Sequence, residues 1–229
     1  MDSAHVRWRE VVAFTVLAYV IAWVIWAPLW PVAWQALADG RTPATYQGGA
    51  LTPLGMFAPA IAAVLMRVFV SRDGLRGSLG PLRAWRALLI AVAGPIVLVA
   101  VTVAVAVGAG LAELQLGYAG PTWQLLLLLL VVGTPVSTAL AFGEEYGWRG
   151  YLLPRLLPLG EVRAAIVVGL IWAPWHLPVL LAGINFPGKH PLAVLGVMTA
   201  AGLAMSLLFT RLFVPPGEPC WRWRCSTAA

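Results

Sequence analysis

The chain has 229 residues, of which 61% are hydrophobic and only 10% charged, and its mean hydropathy is +0.85. A soluble globular domain is about half apolar and about a quarter charged, and a disordered chain is less hydrophobic still, so both classes are excluded and a polytopic membrane protein is left. The net charge is +6, and the two cysteines, Cys220 and Cys225, lie too close to the end of the chain to make a disulfide scaffold.

A helix needs about 20 largely apolar residues to span the hydrocarbon core. Val11–Trp30 is the first such run. Its length, its tryptophans and the internal Pro28 argue against a cleaved signal peptide. Further runs follow at about Leu51–Val70, Leu88–Ala112, Trp123–Phe142, Ala164–Ala182 and Pro191–Phe213. The expected fold is therefore all-α, a transmembrane helical bundle with about six spans, short connections and no second domain. Pro95, Gly133, Pro135 and Pro174 fall inside spans and predict kinks or broken helices, which membranes tolerate where backbone is buried in protein or lines a cavity. No repeat of 20–50 residues is evident.

The basic residues give the orientation. Arg7 and Arg9 precede span one, and Arg67, Arg72, Arg76, Arg83 and Arg86 flank the connection from span two to span three. Arg149, Arg155 and Arg163 lie between spans four and five, and Arg211, Arg222 and Arg224 lie at or beyond the end of span six. Only Arg41 and Lys189 occupy the alternate loops, so thirteen of fifteen basic residues share one side. By the positive-inside rule both termini are expected to be cytoplasmic, and the basic surplus reports topology rather than nucleic acid. Trp30, Trp34, Trp85, Trp123 and Trp148 sit near span ends, where an aromatic belt belongs.

Of nine acidic residues, Glu144 and Glu145 are adjacent at the end of span four, in Gly143-Glu144-Glu145-Tyr146-Gly147-Trp148-Arg149. A carboxylate at the bilayer centre costs about 2.5–3.5 kcal/mol on insertion scales. Two side by side also repel, which favours a proton-accepting role for one of them. On a helix Glu145 and Arg149 are i,i+4 neighbours and can pair, while Glu144 points about 100° away toward a different surface. One reading has the pair mark the headgroup level, with Arg149 as a surface partner. The other notes that Trp148 and Tyr151-Leu152-Leu153 stay apolar past the charges, so the segment faces protein or a water-filled cavity.

The second feature is Trp172-Ala173-Pro174-Trp175-His176-Leu177-Pro178. A lone histidine among apolar residues is commonly a satisfied core group, but the flanking prolines predict a broken helix that could hold the imidazole at a cavity. His5 and His190 belong to polar flanks. Other chemistries lack their residues: HExxH is absent, Ser137 has no His–Asp partner in its segment, neither cysteine has a base nearby, and no phosphate-binding glycine motif occurs.

These two segments resemble the motifs of the CPBP family of intramembrane proteases, which takes in prenyl-protein CAAX endopeptidases and the bacterial Abi and bacteriocin-immunity proteins. Glu144-Glu145-x-x-x-Arg149, continued by Gly150-Tyr151-Leu152-Leu153, is similar to the first motif. Trp172-x-x-x-His176 is similar to the second, usually FxxxH, with Trp in place of Phe. The resemblance is strongest over about residues 130–212 within a domain of residues 1–214. It implies Glu144 as general base on a water, His176 helping to bind and activate that water, and Arg149, held by Glu145, orienting the motif. The family is often labelled metalloprotease, so a divalent metal such as zinc enters by that label. The surviving ligands are few, and a glutamate-dependent mechanism without metal suits the chain better.

The family pattern continues with a segment ending in His-x-x-x-Asn, whose side chains would complete the water site and stabilise the oxyanion. Span six reads Leu203-Ala204-Met205-Ser206-Leu207-Leu208-Phe209, as the family does, but residues 215–229 hold neither histidine nor asparagine. Back-translated one frame over, Cys220 to Ser226 give an apolar run, and the next codon has histidine among its readings. The expectation is a frameshift near codons 214–219, in the gene or its sequencing. Resequencing from codon 205 to the next stop checks it: the shifted frame should carry His-x-x-x-Asn, and an intact frame without that segment would contradict it.

The resemblance thus implies an integral membrane protein, in the cell membrane of a bacterium, that hydrolyses a peptide bond in a membrane-associated peptide or protein. Its partners are the lipid bilayer and that substrate, with no nucleic acid. Activity is expected to be impaired in this 229-residue form. The alternative is a non-catalytic membrane protein of the same fold, acting in partner binding or bacteriocin-type immunity.

Overall fold

The computed structural model describes residues 5–45, 49, 51–75, 97, 101, 103–111, 113 and 128–214. Most of the predicted span Leu88–Ala112, the start of Trp123–Phe142 and the tail 215–229, with Trp85, Pro95 and Trp123, lie outside the described residues. The chain divides into two compact units, Met1–Ser78 with Thr138–Ala229, and Leu79–Ser137. All described elements are helical. In the smaller unit residues 103–108 are helical and Leu129–Gly133 form a widened π turn.

In the larger unit α1 covers Trp8–Ile25 and α2 Trp30–Ala38. α3 is Leu51–Gly55, and α4 is Ala58–Leu65, continued by a π turn at Met66–Val70. α5 is Thr134–Gly147, followed by a π turn at Trp148–Leu152 and by α6 at Leu153–Leu156. α7 is Glu161–Trp175, α8 Leu177–Leu181 and α9 Pro191–Phe213.

Among the described residues three stretches are long and apolar enough to cross a membrane: Trp8–Ile25, Leu51–Val70 and Pro191–Leu212. Their outward faces carry the same signature as their inward ones. Along α1, Val11, Phe14, Ala18 and Ala22 are buried, yet Val12, Val16, Val20 and Val24 on the opposite side are all more than half exposed. A helix whose exposed stripe is valine matches a hydrocarbon surround, because in water that stripe would be polar.

Two predicted spans are interrupted. Span one ends at Ile25, and Pro28 lies in the single 3₁₀ turn Ala27–Leu29 that leads into α2. Span five becomes α7 and α8, separated by His176. Proline supplies no N–H and clashes with the preceding turn, so Pro174 and Pro178 break the ladder there. Gly160, at φ 92° and ψ 152°, is the residue from which α7 starts, a conformation open to glycine alone.

Helices meet through small residues, as in membranes where close approach replaces the hydrophobic drive. α1 packs on α4, and Ala18, Ala22, Ala58, Ala62 and Ala63 are all buried in the core that the two helices share. α7 packs on α9 at Gly169, where an added Cβ would lie 3.0 Å from Leu203 Cα. α5 approaches the start of α4 at Gly143 and Gly147. A Cβ on Gly143 would sit 2.9 Å from Phe57, and one on Gly147 would overlap Pro59. Gly147→Ala is therefore expected to cost about 1–3 kcal/mol by overpacking against backbone that cannot yield. Thermal unfolding of the detergent-purified protein reads this as a lower midpoint, and an unchanged midpoint would contradict the contact.

Segments that the charge pattern assigns to one side do meet. Glu10, Ser71, Asp73, Tyr151 and Arg155 gather at one end, and Arg211 pairs with Glu161 at 3.2 Å. Thr42 bonds Phe186 and Lys189 in the alternate loops. Trp34 is 63% exposed, as a belt residue would be, but Trp148 is wholly buried. It packs edge-on to Phe14 and Trp175 at 5.5 and 5.7 Å, so it is a core residue and not part of a belt.

Candidate functional site

The first motif lies where α5 gives way to the π turn. Gly143 and Gly147 form a small-xxx-small step that faces α4, which turns Glu144 and Glu145 toward other surfaces. The π turn at Trp148–Leu152 widens the backbone just after the glutamates, a feature frequent at functional sites. Pro154 has no N–H to return to the Gly150 carbonyl, and Arg67 Nη2 donates to that oxygen at 2.7 Å instead. Trp148, Tyr151, Leu152 and Leu153 are fully buried. Of the two sequence readings, the protein-facing one fits this burial and the headgroup one does not.

Arg149 Nη1 donates to Glu145 Oε1 at 2.9 Å, the i,i+4 contact. The guanidinium is 3% exposed and lies 5.6 Å from the Trp172 ring and 4.9 Å from Phe209, so it touches both α7 and α9. Among the described residues its Nε and Nη2 meet no hydrogen-bond partner. Glu144 is 6% exposed, and its Oε2 accepts the indole N–H of Trp172 at 2.8 Å. Among the described residues no donor meets Oε1.

The second motif closes α7. Because the helix ends at Trp175, the His176 backbone N–H turns to the Ala173 carbonyl at 3.3 Å. That frees the Trp172 carbonyl, which lies 3.0 Å from His176 Nδ1. A carbonyl only accepts, so Nδ1 carries the proton and Nε2 keeps its lone pair. The ring is wedged between two indoles, 4.9 Å from Trp172 and 4.6 Å from Trp175, both edge-on. α1 supports this end of α7 with two aromatic donors: Tyr19 Oη to the Ile171 carbonyl at 2.6 Å and Trp23 Nε1 to that of Trp175 at 3.0 Å. They satisfy carbonyls a broken helix end would leave bare. Gly202 of α9 makes the slot for the Trp172 indole, since a Cβ there would come within 3.2 Å of the ring.

Glu144, Arg149 and His176 thus converge on one residue, Trp172, and Glu145 joins them only through Arg149. Glu144 bonds its indole, Arg149 lies by its ring and bonds Glu145, and His176 bonds its carbonyl. Trp172 was legible only as a substitute for Phe. The signal that could have singled it out is that indole, unlike phenyl, carries a buried donor needing an acceptor, and the nearest acidic motif supplies one. His190 does a plain structural job, its Nδ1 accepting the Leu192 N–H at 3.2 Å at the start of α9.

A structural or catalytic zinc wants three or four protein ligands. Among the described residues no group of three His, Cys, Asp or Glu side chains gathers. The Glu144 Oε2 already holds an indole N–H and Glu145 holds Arg149. Among the described residues the donor set around His176 does not fit a zinc site.

Residues 119–214 match the family model described as type II CAAX prenyl endopeptidase Rce1-like. The matched stretch is less than half of the chain but contains both motifs, and it bears out the resemblance to CPBP-family intramembrane proteases. That family is one of proteases. No curated protein and no solved structure matches the chain.

Proposed function

We propose that the protein is an intramembrane endopeptidase in which Glu144 is the general base and His176 holds the attacking water. The observation that carries this reading is the buried arrangement around Trp172, which fixes a carboxylate and an imidazole on one residue. Glu144 Oε1 would take a proton as the water oxygen adds to the peptide carbonyl carbon, and would pass it to the leaving nitrogen as the C–N bond breaks. His176 Nε2, with its lone pair free, would accept the water's second hydrogen. Arg149, anchored by Glu145, would orient the segment and offer its unpartnered N–H groups to charge developing nearby.

The substrate in this reading is a membrane-associated peptide or protein, and the family description makes a prenylated C-terminal peptide the first to try. The expected seat is a bacterial plasma membrane. The sequence has no histidine after His190 and no asparagine after Asn185, so the 229-residue form would supply Glu144 and His176 without the His-x-x-x-Asn pair. Reconstituted in vesicles, that form is expected to cleave a farnesylated fluorogenic peptide slowly or not at all, and a form extended by the downstream segment to cleave it faster. His176→Ala should abolish the extended form's activity. Cleavage unaffected by His176→Ala would sink the site assignment, and an extended form that binds the peptide without cleaving it would favour the non-catalytic alternative.

A further inference from the structure

We infer that Trp172 is a positioning residue that couples the two motifs, its indole N–H aligning Glu144 and its carbonyl setting the tautomer of His176. The inference rests on the function proposed above and deepens it, by assigning Trp172 a positioning role in that site.

Three observations carry it. The Trp172 Nε1–Glu144 Oε2 bond is 2.8 Å long and buried, and bonds from N–H to a carboxylate are among the stronger ones. It occupies one carboxylate oxygen and so decides which oxygen remains open to a water. The same residue's carbonyl lies 3.0 Å from His176 Nδ1, which leaves Nε2 as the acceptor. The indole is also held in place from two sides, by the slot at Gly202 and by the Arg149 guanidinium 5.6 Å from its ring. A phenylalanine at this position would fill the slot and keep the carbonyl, but it would leave Glu144 with no donor on Oε2. This chain has therefore tied base and imidazole together through one residue, the base by its indole and the imidazole by its carbonyl.

A purely structural role, in which the buried indole merely finds an acceptor, predicts the same bond but an unchanged kcat, so the first test establishes the bond and the second separates the roles. The first test uses the 229-residue chain with ¹⁵N-labelled indoles in detergent micelles. The Trp172 resonance is the one that disappears in Trp172→Phe, a variant that keeps the ring and hence the packing. It should move upfield in Glu144→Ala and stay in place in Glu145→Ala. A resonance that is unmoved in Glu144→Ala, or that moves equally in Glu145→Ala, overturns the inference. The second test is kinetic, on a cleaving form: Trp172→Phe should lower kcat by about tenfold or more with KM within about twofold, the scale of a lost hydrogen bond to a charged group. An unchanged kcat, or a loss confined to KM, also overturns it. If the resonance moves as expected and no form cleaves any peptide, the proposed function fails while the coupling of the two motifs stands.

Discussion

Replacing Glu144 by glutamine is expected to lower kcat by about 10²–10⁴-fold in a cleaving form of the protein, the usual contribution of a positioned general base. Glutamine keeps the shape of the side chain and an oxygen for the Trp172 N–H, which lies 2.8 Å from Oε2, so the fold and the indole contact should survive. What it loses is the ability to take a proton from water. Glu145→Gln should be milder: it weakens the 2.9 Å bond to Arg149 but removes no proton acceptor from the water. Single-turnover cleavage of a vesicle-embedded peptide separates the two, because the chemical step is then read free of product release. Equal losses in both variants would mean that Glu144 is not the base.

The second large effect concerns stability. Arg155 donates from Nε to Glu10 Oε2 at 2.7 Å and from Nη2 to Asp73 Oδ2 at 2.8 Å, and its side chain is 8% exposed. Ser71 Oγ joins them, donating to Glu10 and lying 2.6 Å from Tyr151 Oη. This cluster ties the start of α1 and the end of the α4 stretch to the helix that follows the first motif. Arg155→Ala removes the cation that the two carboxylates share and leaves Glu10 with Arg7 and Asp73 with Arg67, so the cost is expected at or below the lower end of the about 3–5 kcal/mol for breaking a buried pair. The expected result is a large drop in thermal midpoint, partly restored by adding Glu10→Gln. A midpoint unchanged by Arg155→Ala would show that the cluster is solvated and contributes little.

The candidate site was legible in the sequence because charge is scarce. With 10% charged residues, two adjacent glutamates and a proline-flanked histidine stand out, and the i,i+4 spacing anticipated the Glu145–Arg149 contact. The break at His176 was also legible from Pro174 and Pro178. Two features were not. The ion cluster joins Glu10, Asp73 and Arg155, residues far apart in sequence, and one-sided arginines report only that they share a side. The role of Trp172 was hidden because a Trp in place of a Phe reads as a conservative swap of bulk, while the difference lies in one N–H. Trp148 misled for a related reason, since tryptophan near a span end suits both an interfacial belt and a buried core, and only packing against Phe14 and Trp175 decides.

The central claim is that Glu144 and His176 together activate a water against a peptide bond. Its most direct measurement is cleavage of a membrane-anchored peptide by the reconstituted, C-terminally extended protein in H₂¹⁸O, with products read by mass spectrometry. The account predicts one ¹⁸O in the new carboxylate of the product, present with the parent and lost with Glu144→Gln and with His176→Ala. Cleavage that persists in either variant at the parent's rate, or a properly folded parent that releases no product, would contradict it.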